Sequence, residues 1–227
     1  MAEEPGHRRV FQGSGAALAG FLFAVLFVWG LALLDHAPGR AADDASLIAY
    51  YQGSGGRSLV IAGFYLVPFA GLSFLWFMAA SRHRISQLAE REDALLATVQ
   101  LASGIVFVAM FFGAAAAAVS GVAAVRVGDS SGLEVVSATR TMFTYAHAML
   151  MIFGFRMAGV FILVSTTRAL RAQLFPRWFA VVSYGAVVVL LFSLSYVRWT
   201  VLIIPAWVVA ASAIILFRRI AGQKAIA

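Results

Sequence analysis

The chain has 227 residues, of which 62% are hydrophobic and only 12% are charged. A soluble domain of this size needs more charged side chains to cover its surface, so this composition excludes an ordinary water-soluble fold. The absence of cysteine excludes disulfide and thiol chemistry. The net charge of +7 comes from basic residues beside apolar runs, which disfavours nucleic-acid binding.

Six apolar runs are long enough to cross a bilayer, whose hydrocarbon core takes about 20 helical residues. They predict an all-α fold: a polytopic membrane bundle of six transmembrane helices in a single membrane domain. We interpret the first run as a retained helix, because it is longer than the apolar part of a signal peptide. The predicted spans are residues 16–34, 59–80, 95–125, 142–166, 179–196 and 201–217.

Lysine and arginine are unevenly distributed between the two sets of loops. Eleven lie at the N-terminus, after the second and fourth spans and at the C-terminus, whereas five lie in the other loops. Because basic loops stay in the cytoplasm, this bias predicts an N-in/C-in topology with both termini cytoplasmic. The expected location is the inner (plasma) membrane of a bacterium.

The first outer loop carries several potential metal ligands. Their spacing matches no known metal-binding loop, so we expect a solvated acidic loop and no metal. These side chains are Asp35, His36, Asp43 and Asp44.

The third span is rich in small residues, and no glycine or proline interrupts the charged segment before it. We therefore expect one continuous helix from Ile85 through Val125. A ridge of small side chains four residues apart predicts close helix packing at the centre of the bundle, with a homodimer contact as the alternative. The ridge consists of Ala109, Gly113, Ala117 and Gly121.

Arg156 lies near the middle of the fourth span and is the most informative residue. A charge at that depth costs roughly 2.5–3.5 kcal/mol on insertion scales, and no aspartate or glutamate lies in any of the six spans. The remaining partners are backbone carbonyls, hydroxyl groups, water, a lipid phosphate or an anionic ligand. Arg156 is therefore a candidate ligand-binding residue, with a structural or snorkelling arginine as the alternative.

Three further residues are candidates for the same ligand site. His147 and Tyr145 lie earlier in the fourth span, although 100° per residue places His147 on the opposite side of the helix from Arg156. Pro205 is expected to kink the sixth helix and to free a backbone carbonyl near Val201. We assign no catalytic residue, no metal ligand and no cofactor.

The fourth to sixth spans carry a family resemblance. A histidine early in a span, a glycine-rich second half, the loop L-F-P-R-W and a small-residue helix occupy the stretch from His147 to Ser193. The closing I-P-A-W-V-V-A and the pair Arg218 and Arg219 complete the pattern. The chain resembles a widespread bacterial family of six-helix integral membrane proteins of unknown function. The resemblance implies a fold and no catalytic residue.

Two functions remain open from the sequence. The first is a small polytopic membrane protein that binds or transports an anionic or amphiphilic small molecule or lipid within the bundle. The alternative is a non-catalytic membrane subunit or regulator of a larger complex, which acts through helix packing with a membrane protein partner or as a homodimer. An enzyme is disfavoured, because no H-E-x-x-H, no G-x-S-x-G and no paired intramembrane acids occur.

Overall fold

The computed structural model describes residues 5–35, 43–89, 93–127, 132–192 and 198–224, and every regular element in these ranges is helical. Two π-helical segments, Ala62–Leu66 and Met149–Gly154, and a 3₁₀ helix, Arg198–Leu202, interrupt or precede α-helices. The α-helices are α1 Pro5–Asp35, α2 Asp44–Gln52, α3 Ser54–Ile61, α4 Val67–Leu88, α5 Ala94–Val127, α6 Gly132–Ala148, α7 Phe155–Arg171, α8 Arg177–Phe192 and α9 Ile203–Lys224.

Five helical stretches in the described ranges are long and apolar enough to cross a membrane. They correspond to five of the six predicted spans. The exception is the predicted fifth span, residues 179–196. There α8 has 16 residues, or about 24 Å, which is shorter than the hydrocarbon core, and residues 193–197 lie outside the described ranges. The five stretches are Gly15–Leu33, Ser54–Leu88, Ala94–Val122, Ser137–Arg171 and Trp199–Arg218.

Helix α5 is the packing centre of the bundle, because it contacts α4, α6 and α7. The small-residue ridge explains part of this contact. A Cβ on Gly113 would lie 2.6 Å from Met149 Cε, and one on Gly121 would lie 2.5 Å from Thr139 Cγ2. The predicted close packing of the third span is therefore observed, and both ridge glycines contact the fourth span of the same chain.

A second layer forms where α1 packs against α4 and α9. Gly20 permits the close approach of α1 to α9, because a Cβ there would collide with Ser212 Oγ. Between these helices and α5 lies an aromatic core in which Phe74 contacts several rings. Its partners are Phe23, Phe77, Phe107 and Phe161.

The prediction of one helix from Ile85 through Val125 is wrong. Helix α4 ends at Leu88 and Ala89 has an extended backbone, with φ −77° and ψ 128°. Helix α5 begins at Ala94, where the Oδ1 of Asp93 accepts a hydrogen bond of 3.1 Å from the backbone N–H of Leu96. An aspartate that caps a helix in this way starts a new helix even where no glycine or proline ends the previous one.

The first π segment, Ala62–Leu66, lies immediately before Pro68. A proline inside an α-helix lacks one N–H and collides with the carbonyl four residues earlier. A π turn, in which an N–H bonds to a carbonyl five residues back, relieves that crowding, and Val67 N–H bonds accordingly to the Ala62 carbonyl. The second span thus passes a proline while its helix continues to Leu88.

The short helices α2 and α3 cover one end of α5. A small apolar cluster fixes them there, and it consists of Leu47, Tyr51, Leu59 and Val122. Gly56 makes the turn between them possible, because a Cβ at this position would overlap the backbone of Tyr51. The end of the bundle that carries α2 and α3 is called the α2 end below, and the opposite end, with Asp93 and Gln173, is called the basic end.

Burial raises the pKa of Tyr51 to about 12, and the neighbouring Tyr50 adds to the shift. The pKa of tyrosine in an unfolded chain is about 10. Because the folded pKa is the higher one, the docking of α2 is at full strength below pH 10 and weakens as the pH rises towards 12. The difference in absorbance at 295 nm between wild type and Tyr51→Phe should therefore titrate near pH 12. A midpoint near pH 10 would mean that Tyr51 is not buried.

Candidate functional site

The fourth span is one continuous helical stretch, Ser137–Arg171, formed by α6, the second π segment and α7. Half-buried or exposed side chains recur along this stretch on both sides of the π segment. We call this set the fourth-span stripe. Its members are Thr141, Tyr145, Ala148, Ile152, Arg156, Val160, Leu163 and Thr167.

Arg156 lies on this stripe and is half-buried. Its Nη1 donates a hydrogen bond of 2.5 Å to the carbonyl of Ile152, which belongs to the π segment. Ile152 and the adjacent Phe153 are 46% and 57% exposed. Arg156 therefore lies on the surface of the bundle, where apolar side chains surround it, rather than between packed helices.

The π segment changes the geometry that the sequence predicts for His147. Phe155 N–H bonds to the Leu150 carbonyl, five residues back, so the segment acts like about one extra residue in the helix. The assumption of 100° per residue from His147 to Arg156 is therefore wrong, and the two side chains are not on opposite sides. His147 is half-buried in the last turn of α6, beside the second π segment.

Tyr145 is 56% exposed and lines an open groove on α6. Among the described residues, two turns of α6 line this groove, which holds about 420 Å³ near the α2 end. The other lining residues are Arg140, Thr141, Thr144 and Ala148. Tyr145 and Arg156 are thus on the same stripe, 11 residues apart in sequence.

Pro205 belongs to a different part of the bundle. It is buried in the first turn of α9, and the 3₁₀ helix Arg198–Leu202 precedes it. In the first turn, the missing N–H of proline would have no helical partner in any case. Pro205 therefore lies at the start of α9, directly after the 3₁₀ turn, and α9 packs on α1 rather than on the fourth-span stripe.

Arg168 is a buried arginine, although the predicted span boundaries place it in the loop after the fourth span. Helix α7 continues to Arg171, and Arg168 is only 5% exposed. Its Nη1 donates to Gln100 Oε1 on α5, and its Nη2 donates to Ser86 Oγ on α4 over 3.4 Å. Gln100 in turn donates from Nε2 to Ser165 Oγ over 2.8 Å. This buried polar cluster joins α4, α5 and α7.

A helix stop explains why Arg168 is inside the bundle. Gln173 adopts φ 53°, the left-handed region that ends many helices. The N–H groups of Leu174 and Gln173 bond to the Ala169 and Leu170 carbonyls, which is the Schellman pattern. Glycine usually occupies this left-handed position, so a glutamine there does not reveal the helix end in the sequence. The detectable signal was Ser165 and Arg168, which share one helix face, together with the isolated amide of Gln100 in an apolar span.

Two of the potential metal ligands of the first outer loop, Asp43 and Asp44, have other partners in the structure. Asp44 Oδ1 pairs with Arg140 Nη2 at 2.9 Å. A hydrogen bond from the Ser46 side chain is the main influence that lowers the pKa of Asp43. His36 lies outside the described residues, and within the described ranges no three His, Asp or Glu side chains converge on one point.

No protein-family model, no curated protein and no solved structure matches this chain.

Proposed function

We propose that this membrane-embedded protein binds an anionic amphiphilic molecule, such as an acidic lipid, at Arg156 on the fourth-span stripe. One observation carries the proposal. A guanidinium has five N–H donors, and Arg156 uses its Nη1 on the Ile152 carbonyl as its one hydrogen bond among the residues that the structure describes. The remaining N–H groups of Arg156 are therefore available to an acceptor from outside those residues.

The energetic argument concerns a permanent charge in apolar surroundings. One backbone carbonyl supplies a partial negative charge and leaves the guanidinium charge uncompensated. A phosphate or carboxylate would neutralise it and accept two parallel hydrogen bonds, the arrangement that a guanidinium favours. The exposed Ile152 and Phe153 provide an apolar surface for the chain of an amphiphile.

The packing of the ridge bears on the alternative function, a subunit that acts through helix packing. That alternative drew on the small-residue ridge of the third span as a free packing surface. Gly113 and Gly121 already contact Met149 and Thr139 of the same chain. The ridge therefore favours internal packing, and the binding function has the stronger support.

We also propose six spans, with both termini in the cytoplasm. Eleven basic residues against five support this orientation. Contacts at the basic end add to the support, because they place three basic-side segments together. Arg171 pairs with Asp93 at 3.2 Å, and Arg218 donates to the Gln173 carbonyl.

Native mass spectrometry of protein extracted in a mild nonionic detergent tests the binding proposal. Wild type should retain acidic lipid, and Arg156→Gln should retain about tenfold less, since one charge-assisted contact is lost. Arg156→Lys should bind at an intermediate level, because lysine keeps the charge but not the paired donors. The matched control is Arg171→Gln, which removes an exposed arginine at the basic end.

Equal thermal stability of the variants shows that lipid loss is not unfolding. Retention of acidic lipid by Arg156→Gln at the wild-type level would contradict the proposal. Co-purification of wild type with a stoichiometric membrane protein, without acidic lipid, would favour the alternative.

A further inference from the structure

The groove on α6 differs chemically from the surroundings of Arg156. It holds about 420 Å³ and combines a cation, two threonine hydroxyls and an exposed aromatic ring. Arg140 lies 16 residues before Arg156 in sequence, or about 24 Å along a helix. One phosphate cannot contact both arginines, so the groove is separate from the proposed Arg156 site.

The two threonines of the groove can only accept hydrogen bonds from a ligand. Thr141 Oγ1 donates to the Ser137 carbonyl over 3.1 Å, and Thr144 Oγ1 donates to the Arg140 carbonyl over 2.9 Å. A hydroxyl has one hydrogen and two lone pairs, so both hydrogens are already in use. A ligand that satisfies these oxygens must therefore carry N–H or O–H donors of its own.

One partner of the groove cation is exchangeable. Arg140 Nη2 lies 2.9 Å from Asp44 Oδ1, and the two side chains are 41% and 46% exposed. An exposed ion pair of this kind stabilises little, typically under about 1 kcal/mol. A phosphate oxygen that offers paired acceptors can therefore displace or share the carboxylate.

We infer that this groove binds the headgroup of an anionic phospholipid whose phosphate also carries a hydroxylated substituent, of the glycerophosphate type. Arg140 contacts the phosphate, and the Thr141 and Thr144 oxygens accept hydrogen bonds from the headgroup hydroxyls. Tyr145, 56% exposed, lies beside the headgroup as aromatic rings do at a membrane interface. The inference does not depend on Arg156.

The choice of a lipid, rather than a soluble polyol phosphate, rests on the surface next to the groove. The stripe continues from Ala148 to Ile152, and the neighbouring Met142 and Phe153 are also exposed. An acyl chain attached to a headgroup in the groove can lie along these apolar side chains. A soluble ligand would make no use of them.

Asp44 acts as a competitor for the headgroup in this arrangement. It pairs with Arg140, and it repels a phosphate that approaches the same guanidinium. Removal of its charge should therefore strengthen binding, whereas removal of the charge of Arg140 should weaken it. These opposite signs separate a binding role of the ion pair from a purely structural one.

The experiment is a titration of purified protein in nonionic detergent with defined lipids, read by native mass spectrometry. Dioleoyl phosphatidylglycerol supplies phosphate and hydroxyls, dioleoyl phosphatidic acid supplies phosphate without the glycerol hydroxyls, and dioleoyl phosphatidylcholine supplies neither a net charge nor donors. Wild type should bind phosphatidylglycerol most tightly. Arg140→Gln should weaken it about tenfold. Asp44→Asn should strengthen it several-fold.

Thr144→Val removes an acceptor with almost no change of shape, so it should lower the preference for phosphatidylglycerol over phosphatidic acid and leave the latter unchanged. The control variants are Arg171→Gln and Asp93→Asn, which break an exposed ion pair at the opposite end and should have no effect. Equal affinity for all three lipids would overturn the inference, and so would weaker binding in Asp44→Asn. Competition by glycerol phosphate as strong as that of the lipid would replace the lipid with a soluble ligand.

The two proposals fail separately. Loss of lipid in Arg156→Gln but not in Arg140→Gln refutes the groove and leaves the proposed function intact. The reverse result refutes the Arg156 site and leaves the groove.

Discussion

Replacement of Arg168 by alanine is expected to lower the free energy of unfolding by about 2–4 kcal/mol, because it leaves a buried amide oxygen without its donor and a cavity in the bundle. In this variant Gln100 Oε1 loses the hydrogen bond that the Arg168 guanidinium donates, and Gln100 is fully buried. It also leaves a cavity where α4, α5 and α7 meet. Arg168→Lys should not restore stability, because a point charge cannot bond both Gln100 and Ser86.

Unfolding in mixed micelles of increasing denaturing detergent, followed by circular dichroism, measures this effect. Arg171→Ala is the matched control, because Arg171 lies one turn further along α7 in an exposed ion pair with Asp93. Its cost should stay below about 1 kcal/mol. Equal losses of stability in the two variants would show that Arg168 is not inside the bundle.

Replacement of Trp207 by alanine is expected to cost about 3–5 kcal/mol, as is usual for a large aromatic side chain removed from a core. Trp207 on α9 bridges helices that approach one another mainly through side chains. Its Nε1 donates a hydrogen bond of 2.9 Å to Ser183 Oγ on α8. Its ring contacts Phe77, Phe161, Phe175 and Phe179.

Two further variants separate packing from hydrogen bonding at this position. Trp207→Phe keeps most ring contacts and loses the bond to Ser183, so it should cost about 1–2 kcal/mol. Trp199→Ala removes an indole that is 75% exposed and should change stability by about 0.5 kcal/mol or less. If Trp207→Ala behaved like Trp199→Ala, α9 would not be packed as described.

The arginines of the fourth span show how far sequence reasoning reaches. Hydropathy identifies the span and shows that Arg156 interrupts an apolar run, and both conclusions agree with the structure. It does not show which face Arg156 occupies, because a π segment without a sequence signature shifts every later residue around the helix axis. A rule based on 3.6 residues per turn therefore failed for the pair His147 and Arg156.

Two helix boundaries were missed for a similar reason. Arg168 looked like a loop residue because Gln173, rather than a glycine, adopts the left-handed conformation that ends α7. The break at Ala89 was missed because Asp93 starts α5 with neither glycine nor proline nearby. In both cases a residue type that is also common elsewhere in proteins caps the helix. Its presence in the sequence therefore does not locate the helix end.

The candidate site residues lie in two different parts of the bundle. Tyr145 is exposed and Arg156 is half-buried on the fourth span, whereas Pro205 is buried in α9, which packs against α1. Arg140 was counted only as a loop charge, because its partner Asp44 is 96 residues away in sequence. Contacts between distant segments of this kind cannot be read from local spacing.

The position of Arg156 on the exposed stripe is the central claim, and spin-label accessibility tests it most directly. The chain has no cysteine, so single-cysteine variants need no background substitutions. In lipid bilayers, a nitroxide on Arg156→Cys should collide with dissolved oxygen as readily as one on Phe153→Cys, whose side chain is exposed. If Arg156→Cys instead gave the immobile, oxygen-protected spectrum expected for the buried Ala158→Cys, Arg156 would face the interior and the binding site proposed for it would be wrong.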